Sequence, residues 1–152
     1  MICRFIALSA VVAFILTLSA PAATVFASVD DARAMVEKGE TYFKAHGMEK
    51  ALQAFNDPKG EFVKGELYLF VYDPNYVVIA HPMNPKLVGI STLNVPDMDG
   101  KLWRQEARAK IEKEGWAQVD YKFKNPVSNK VEKKTSYLKK VGDFVIGCGA
   151  YE

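Results

Sequence analysis

The sequence predicts an α+β fold in which an antiparallel sheet carries helices on one side. Segments with helical periodicity come first, whereas the rest of the chain is dominated by strand-length runs rich in Val, Tyr, Phe and Ile. Short turn clusters, such as Asp-Pro-Asn, separate several of these runs, and short connections favour antiparallel pairing. The predicted order is a long helix, a short helix, two strands, a helix and three strands.

The first 27 residues have the pattern of a signal peptide. A basic start at Arg4 precedes an apolar run over 5–18, and "VFA" ends at Ala27 with the spacing of a signal-peptidase site. No charged residue lies between Phe5 and Ala27, so an uncleaved N-terminal membrane anchor is the alternative. We expect cleavage, which leaves residues 28–152 as one periplasmic or secreted domain.

The composition of that domain excludes several function classes. Loss of Arg4 reduces Lys plus Arg from 20 to 19 against 18 Asp plus Glu, and a charge near +1 predicts no nucleic-acid partner. Cys148 is then the only cysteine, so we expect no internal disulfide. It lies between two glycines in an apolar run, which is typical of a buried packing residue.

The predicted helical region begins with "DARAMVEKGETYFKA", capped by Asp30 or Asp31. Its apolar stripe includes Ala32, Val36 and Phe43, and Gly47 stands at the expected C-terminal cap. A short second helix, "MEKALQAFN", follows and ends before "DPKG", which predicts a turn.

Five predicted strands and one helix make up the remainder. The first two strand segments are "GELYLFVYD" and "NYVVIAHP". The helix "GKLWRQEARAKIEKEG" comes next, with a stripe of Leu102, Trp103, Ala107 and Ile111, and it ends at Gly115. The last three strands are predicted in "GWAQVDYKFKNP", "KVEKKTSYLKKV" and "DFVIGCGAYE".

Most catalytic and metal signatures are missing from the sequence. It contains no G-x-S-x-G, no Gly-rich phosphate loop and no C-x-x-C-H, and the domain's two histidines and one cysteine hardly suffice for zinc. "VPDMDGKLWRQE" has part of the calcium-loop spacing, but Val95 occupies the first ligand position. We therefore interpret Asp97 and Asp99 as turn and helix-capping residues, and expect no metal and no cofactor.

Three strings resemble the single Cache domain, type 2: "GELYLFVYDPNYVVIAHPMNPKLVG", "NVPDMDGKLWRQE" and "YKFKNPVSNKVEKKTSYLKKVGDFVIGCGAYE". These domains are extracytoplasmic sensor modules of chemoreceptors and sensor kinases, and characterised members often bind short organic acids. The resemblance implies a PAS-like, five-stranded antiparallel sheet with a long N-terminal helix packed along it. It also implies a small-molecule pocket between the sheet and the segment from His81 to Trp103.

The chain stops at Glu152, where receptors of this type continue into a second membrane helix. We therefore expect a free-standing domain in signal transduction or chemotaxis that acts through a separate membrane receptor, kinase or transporter.

Strand alternation indicates which side chains face the implied pocket. Val77, Ile79 and His81 are predicted on one face of the second strand. On the third strand, Tyr121 is predicted on the same face as the residues two positions before and after it. The family's Lys-x-x-Tyr pattern corresponds to Lys134 and Tyr137, which lie on opposite faces unless a bulge intervenes. The expected ligand is a small organic anion of the carboxylate class. The expected binding residues are His81, Trp103, Tyr121, Lys134, Tyr137, Met83 and Phe70.

Each candidate also has a purely structural interpretation. His81 could cap a loop, the two tyrosines and Trp103 could be core residues, and Lys134 could lie on an exposed edge. We expect a binding module without catalysis. The alternatives are a small enzyme with His81 as general base, partnered by Tyr121, and a structural or interaction domain with a vestigial pocket.

Overall fold

The computed structural model describes residues 27–152, which form helices on both faces of an antiparallel sheet. The helices are α1 (Val29–Asn56), a 3₁₀ turn (Pro85–Leu87) and α2 (Trp103–Glu114). The strands are β1 (Val63–Lys64), β2 (Leu67–Tyr68), β3 (Phe70–Tyr72), β4 (Val78–Ala80), β5 (Trp116–Lys124), β6 (Val131–Val141) and β7 (Phe144–Tyr151). The predicted signal peptide lies outside the described residues, apart from Ala27, and stays a prediction.

Helix α1 begins with a capping box. The Ser28 hydroxyl accepts a hydrogen bond from the Asp31 backbone N–H, and the Asp31 carboxylate accepts one from the Ser28 backbone N–H. The cap is therefore Ser28, and the prediction of Asp30 or Asp31 at this position was wrong. Gly47 interrupts the helix with φ 77° and ψ 172°, a conformation open essentially to glycine alone, so the predicted division into two helical segments is confirmed.

The main sheet has the strand order β4-β3-β7-β6-β5, and every pair in it is antiparallel. Strands β1 and β2 form a separate small hairpin. This confirms the α+β prediction and the five-stranded antiparallel sheet with its long N-terminal helix.

The helices lie on opposite faces of the sheet, which corrects the prediction that they share one side. Helix α1 packs with Leu69, Val71 and Cys148 in one apolar cluster, and Helix α2 packs with Tyr121 and Leu138 in the other. The central strands are thus buried on both faces, and the alternation of their side chains sorts residues between the two clusters. Within residues 27–152, no helix combines the length and apolarity needed to cross a membrane.

Helix α2 differs in detail from its predicted stripe. Leu102 is the N-cap residue and is 40% exposed, whereas Arg104 is buried beside Trp103, Ala107 and Ile111. Gly115 ends the helix in the left-handed conformation, as predicted. Asp97 does stabilise the preceding turn, where its carboxylate accepts hydrogen bonds from three backbone N–H groups, but neither Asp97 nor Asp99 caps the helix.

Candidate functional site

The face of the sheet opposite α1 carries the candidate site. Its floor is made by even-numbered residues of β2, β3 and β6, whose side chains point away from α1. Helix α2 and the segment 81–102 cover it. Two glycines of β7, Gly147 and Gly149, also face this side and leave space for larger neighbours: a Cβ at Gly147 would collide with the Phe70 ring.

Lys134 is the main charged group of this face, and its side chain is fully buried. Its Nζ lies 4.0 Å from the ring centroid of Tyr68 and 4.6 Å from that of Tyr151, with Phe70 and Phe123 each at 5.6 Å. Such an aromatic cage stabilises a cation through the π faces of its rings. The alternative that Lys134 lies on an exposed edge is therefore wrong, because β6 runs between β7 and β5.

The Lys134 ammonium has few hydrogen-bond partners. It donates to Tyr151 Oη at 3.3 Å, and Tyr151 in turn donates to the Lys124 carbonyl oxygen. None of the salt bridges within residues 27–152 includes Lys134. Burial lowers the pKa of Lys134 from 10.5 to about 7. An ammonium has three donors, so a buried anion would find unused hydrogen-bonding capacity here.

His81 follows β4 and is oriented by its own loop. Its Nδ1 accepts a hydrogen bond from the Asn84 backbone N–H at 3.0 Å, so the neutral ring carries its proton on Nε2. The ring lies 5.0 Å from Tyr68 and 6.0 Å from Phe123, between centroids. Burial, reinforced by the Lys134 charge, lowers the pKa of His81 to about 3. His81 therefore both caps the loop and lines the site, as a neutral donor.

A bulge in β4 brings His81 to this face. Val71 pairs with Ala80 but Tyr72 pairs with Val78, so Ile79 is an extra residue. As a result Val78 joins the cluster on the site's face, whereas Ile79 packs against the cluster below α1. The prediction that Val77, Ile79 and His81 share one face was wrong for Ile79, because the bulge shifts the alternation.

Trp103 and Tyr121 form the opposite wall. Their rings stack at 3.7 Å between centroids with an interplanar angle of 6°, and the Tyr121 hydroxyl is 2.9 Å from Ser136 Oγ. Both side chains are buried, and burial raises the pKa of Tyr121 well above its usual range, so its hydroxyl stays protonated. Trp103 and Tyr121 are thus core aromatics that also face the cavity described next.

The site contains a small inner cavity and a larger outer cleft. The inner cavity, about 10 Å³, is lined by Trp103, Tyr121, Phe70 and His81 with their neighbours, and it holds space for roughly one water molecule. The outer cleft has about 710 Å³ and is open to solvent. Three side chains line both and form the wall between them: Tyr68, His81 and Phe123.

The structure brings five of the seven sequence candidates together on this face: His81, Trp103, Tyr121, Lys134 and Phe70. Met83 lies apart from the inner cavity, since it is 38% exposed and lines only the outer cleft. Tyr137 lies on the other face, where it joins the cluster of α1 and contacts the Arg33 guanidinium at 5.4 Å. Pairing of β6 with both neighbours is regular from Lys134 to Tyr137, so no bulge turns Tyr137 towards Lys134.

Sequence reasoning missed several residues of the site. Arg104 is buried, donates to Tyr72 Oη at 3.0 Å and stacks on the Trp103 ring at 4.1 Å. Its position could have been found, because Arg104, Ala107 and Ile111 have helical spacing on the inward face of α2. Tyr68 and Tyr151 carried no such signal, since their cage around Lys134 depends on strand pairing over long separations.

Solved structures place this architecture among known sensor domains. A methyl-accepting chemotaxis protein from Vibrio parahaemolyticus RIMD 2210633 superposes with a TM-score of 0.68 at 20% identity. The alignment covers 80% of this chain and 86% of that one, and it shows that the two have a similar fold. The periplasmic sensor domain of a chemotaxis protein gives 0.63 at 27% identity, covering 81% of this chain and 89% of the other.

A third similar structure is a Cache chemosensory domain described as the structural basis for carboxylic acid recognition. Its TM-score is 0.62 at 27% identity, and the alignment covers 81% of this chain and 87% of that domain. No significant match was found among curated proteins. The family model Single Cache domain 2 matches residues 16–152, and the chain therefore belongs to the single Cache domain 2 family.

Proposed function

We propose that this chain is an exported sensor domain that binds a short organic acid at the inner site. The carboxylate contacts the Lys134 ammonium and the His81 Nε2–H, and Tyr121 supplies a further hydrogen bond. Trp103 and Phe70 enclose the apolar part of the ligand. The observation that carries this proposal is the buried Lys134 ammonium, which lies in an aromatic cage and outside every salt bridge of residues 27–152.

The physical reason is charge compensation. A buried cation without an anionic partner is costly, and an anionic ligand that reaches it forms a charge-assisted hydrogen bond in a water-poor environment. Carboxylic acid recognition by the similar Cache chemosensory domain supports the same ligand class. The receiving protein, expected to be a membrane receptor, kinase or transporter, stays a prediction.

Two features favour binding over the enzymatic alternative. A pKa of about 3 makes His81 a weak base at neutral pH, whereas a general base works best with a pKa near the working pH. The partner considered for His81 in the enzymatic alternative, Tyr121, makes its hydrogen bond to Ser136. Neither residue is arranged to activate the other.

A thermal-shift screen with acetate, propionate, lactate, amino acids, amines and purines tests the ligand class. A ligand present at a hundred times its Kd adds about 2.7 kcal/mol of stability. We expect a short carboxylate to give the largest shift, with a Kd on the order of micromolar, or about −8 kcal/mol. If none of these compounds stabilises the protein, the pocket is vestigial and the third alternative is favoured.

Calorimetry with the best acid then tests the residues. Lys134→Met keeps the cage but removes the charge, and should weaken binding by roughly 1.5–3 kcal/mol. Tyr121→Phe should cost less, because it removes one neutral donor. The matched control is Lys140→Met, since Lys140 lies exposed on the same strand. If Lys134→Met and Tyr121→Phe both bind the acid with wild-type affinity, the acid binds at a different site.

Export can be tested separately by intact-mass analysis of protein secreted from its host cell. We expect a chain that begins at Ser28, whose hydroxyl caps α1. A mass that retains residues 1–27, found in the membrane fraction, would instead support the N-terminal anchor.

A further inference from the structure

The outer cleft is much larger than the inner cavity, and the short-acid site leaves it unused. It lies between the loop after β4, the segment before α2 and the loop that joins β5 to β6. Its volume of about 710 Å³ falls within the range of sites that enclose whole small molecules. A short acid such as acetate would fill a minor part of it.

The charge of the cleft is positive. Three lysines line it, Lys86, Lys122 and Lys124, against one carboxylate, Asp97. Asp97 is already engaged: Oδ1 accepts from the Asp99 and Lys101 backbone N–H groups, and Oδ2 accepts from that of Lys122. The Lys122 ammonium pairs with Asp99, whereas no salt bridge of residues 27–152 includes Lys86 or Lys124. Two ammonium groups thus remain for an anion.

Apart from Asn84, Asn129 and His81, most of the remaining lining is apolar, and part of this apolar surface is exposed. Met98 is 74% exposed, the largest value among the exposed large hydrophobic side chains, and Val131 and Met83 also line the cleft at 48% and 38%. Exposed apolar surface collected around a concavity marks a binding site more often than scattered residues do. Methionine side chains adapt to ligands of different shape. Three prolines, Pro85, Pro96 and Pro126, restrict the backbone of the surrounding loops.

From this combination we infer that the outer cleft is a second binding site, for an amphipathic monoanion of the medium-chain carboxylate class. The carboxylate lies near Lys86 and Lys124, and the chain lies against Met83, Met98 and Val131. Only the wall of Tyr68, His81 and Phe123 is shared with the inner site, so occupation of one site changes the packing around the other. The inference does not depend on the short-acid proposal, because it uses no contact of Lys134.

A series of straight-chain carboxylates from acetate to decanoate, titrated by calorimetry at concentrations where each stays monomeric, tests the inference. Each additional methylene buried in the cleft should tighten binding by about two- to fourfold, the upper value corresponding to about 0.8 kcal/mol. The double variant Lys86→Glu with Lys124→Glu should weaken decanoate binding at least tenfold. The control is Lys140→Glu, which makes the same charge reversal at an exposed position outside the cleft. It should leave the affinity for decanoate unchanged.

Lys134→Met separates this site from the inner one. Decanoate affinity should survive that change, whereas the short-acid proposal predicts loss of acetate or propionate binding. The inference is overturned by an affinity independent of chain length, by equal losses in the Lys140→Glu control, or by loss of decanoate binding in Lys134→Met. It is also overturned if sedimentation shows a dimer that Met98→Asp dissociates, because the apolar rim would then belong to an interface between two copies.

Discussion

At the scale of single residues, the chemistry of this domain is concentrated in Lys134. Its charge depends on its surroundings, since aromatic rings surround the ammonium and, among residues 27–152, its one hydrogen-bond partner is the neutral Tyr151 hydroxyl. Burial also raises the pKa of Tyr68 and Tyr151, so both hydroxyls stay protonated near neutral pH. Cys148 and, to a smaller extent, Glu66 act against burial and raise the pKa of Lys134. The carboxylate oxygens of Glu66 accept hydrogen bonds from the Asn125 side chain and the Tyr151 backbone N–H.

The stability of the unliganded domain should therefore rise between about pH 7 and pH 9. In this window the unfolded chain still holds the Lys134 proton and the folded domain has released it, so the free energy of unfolding increases by up to about 1.4 kcal/mol per pH unit. Above that window the buried Cys148, whose pKa is raised to about 12, acts in the opposite direction. Urea unfolding at several pH values measures this. Lys134→Met should abolish the rise and stabilise the domain at pH 6; an unchanged slope in that variant would contradict the assignment.

Affinity for a short acid should show the opposite trend with pH. An anion beside Lys134 favours the ammonium and raises its pKa, so binding above pH 7 takes up a proton and weakens by as much as tenfold per pH unit. Calorimetry in two buffers of different ionisation enthalpy at pH 8 should detect the uptake. Equal heats in both buffers would mean that Lys134 binds the acid without changing its own charge.

Strand and helix spacing pointed to His81 and Trp103 as candidates, and the family's Lys-x-x-Tyr pattern pointed to Lys134, but neither decided the surroundings of these residues. The cage around Lys134 includes Tyr68 and Tyr151, which are 83 positions apart in the chain and meet through β7. A single sequence does not show such pairings. Tyr137 was grouped with Lys134 through a family pattern, although strand periodicity alone favoured opposite faces, and the structure follows the periodicity.

At the scale of elements, the residues of β7 alternate between the face of the sheet that packs on α1 and the face that carries the candidate site. Cys148 points towards α1, with its sulfur 3.8 Å from that of Met35, whereas Gly147 and Gly149 face the site. A Cβ at Gly149 would collide with Ser136 Oγ and would lie 2.7 Å from Lys134 Cε and 2.8 Å from the Thr135 carbonyl oxygen. The glycine is therefore what allows the lysine to lie across the strand.

Gly149→Ala should accordingly harm both stability and binding. We expect a loss of about 1–3 kcal/mol in denaturant unfolding, because the added methyl overpacks a site bounded partly by backbone, together with weaker acid binding. Cys148→Ala is the matched comparison on the same strand. It should cost modest stability through the lost packing volume, while acid affinity stays at the wild-type value. Similar affinities in the two variants would show that Gly149 does not position Lys134.

Element type was largely predictable because β5, β6 and β7 are long runs of strand-forming residues, with regular alternation in β5, and because Gly47 and Gly115 end helical segments. The side of the sheet taken by each helix was not predictable, since the central strands β3 and β7 are buried on both faces. The β4 bulge was also missed. It places one extra residue between the two paired positions of a three-residue strand, which is too short a segment for periodicity to reveal.

At the scale of the whole molecule, the inner site that we propose for a short acid has almost no room for one. The inner cavity of about 10 Å³ cannot hold even acetate, and Lys134 lines neither cavity. Entry therefore requires the wall of Tyr68, His81 and Phe123 to move, together with the segment that leads into α2. Binding and conformational change are coupled by this geometry, which is what a sensor needs if occupancy is to alter its outer surface.

The two tryptophans offer a direct measurement of that coupling. Trp103 is buried and stacked on Tyr121, at the inner cavity, whereas Trp116 is 43% exposed and packs on Tyr137 on the opposite face. In Trp116→Phe, which leaves Trp103 alone, a saturating short acid should change the emission intensity and wavelength, because opening the cavity alters the contact of the indole with Tyr121. In Trp103→Phe, the emission of Trp116 should stay constant. A change in emission confined to Trp116 would instead place the conformational change on the face of α1. If a saturating acid changes the emission of neither tryptophan, the acid binds without opening the inner cavity.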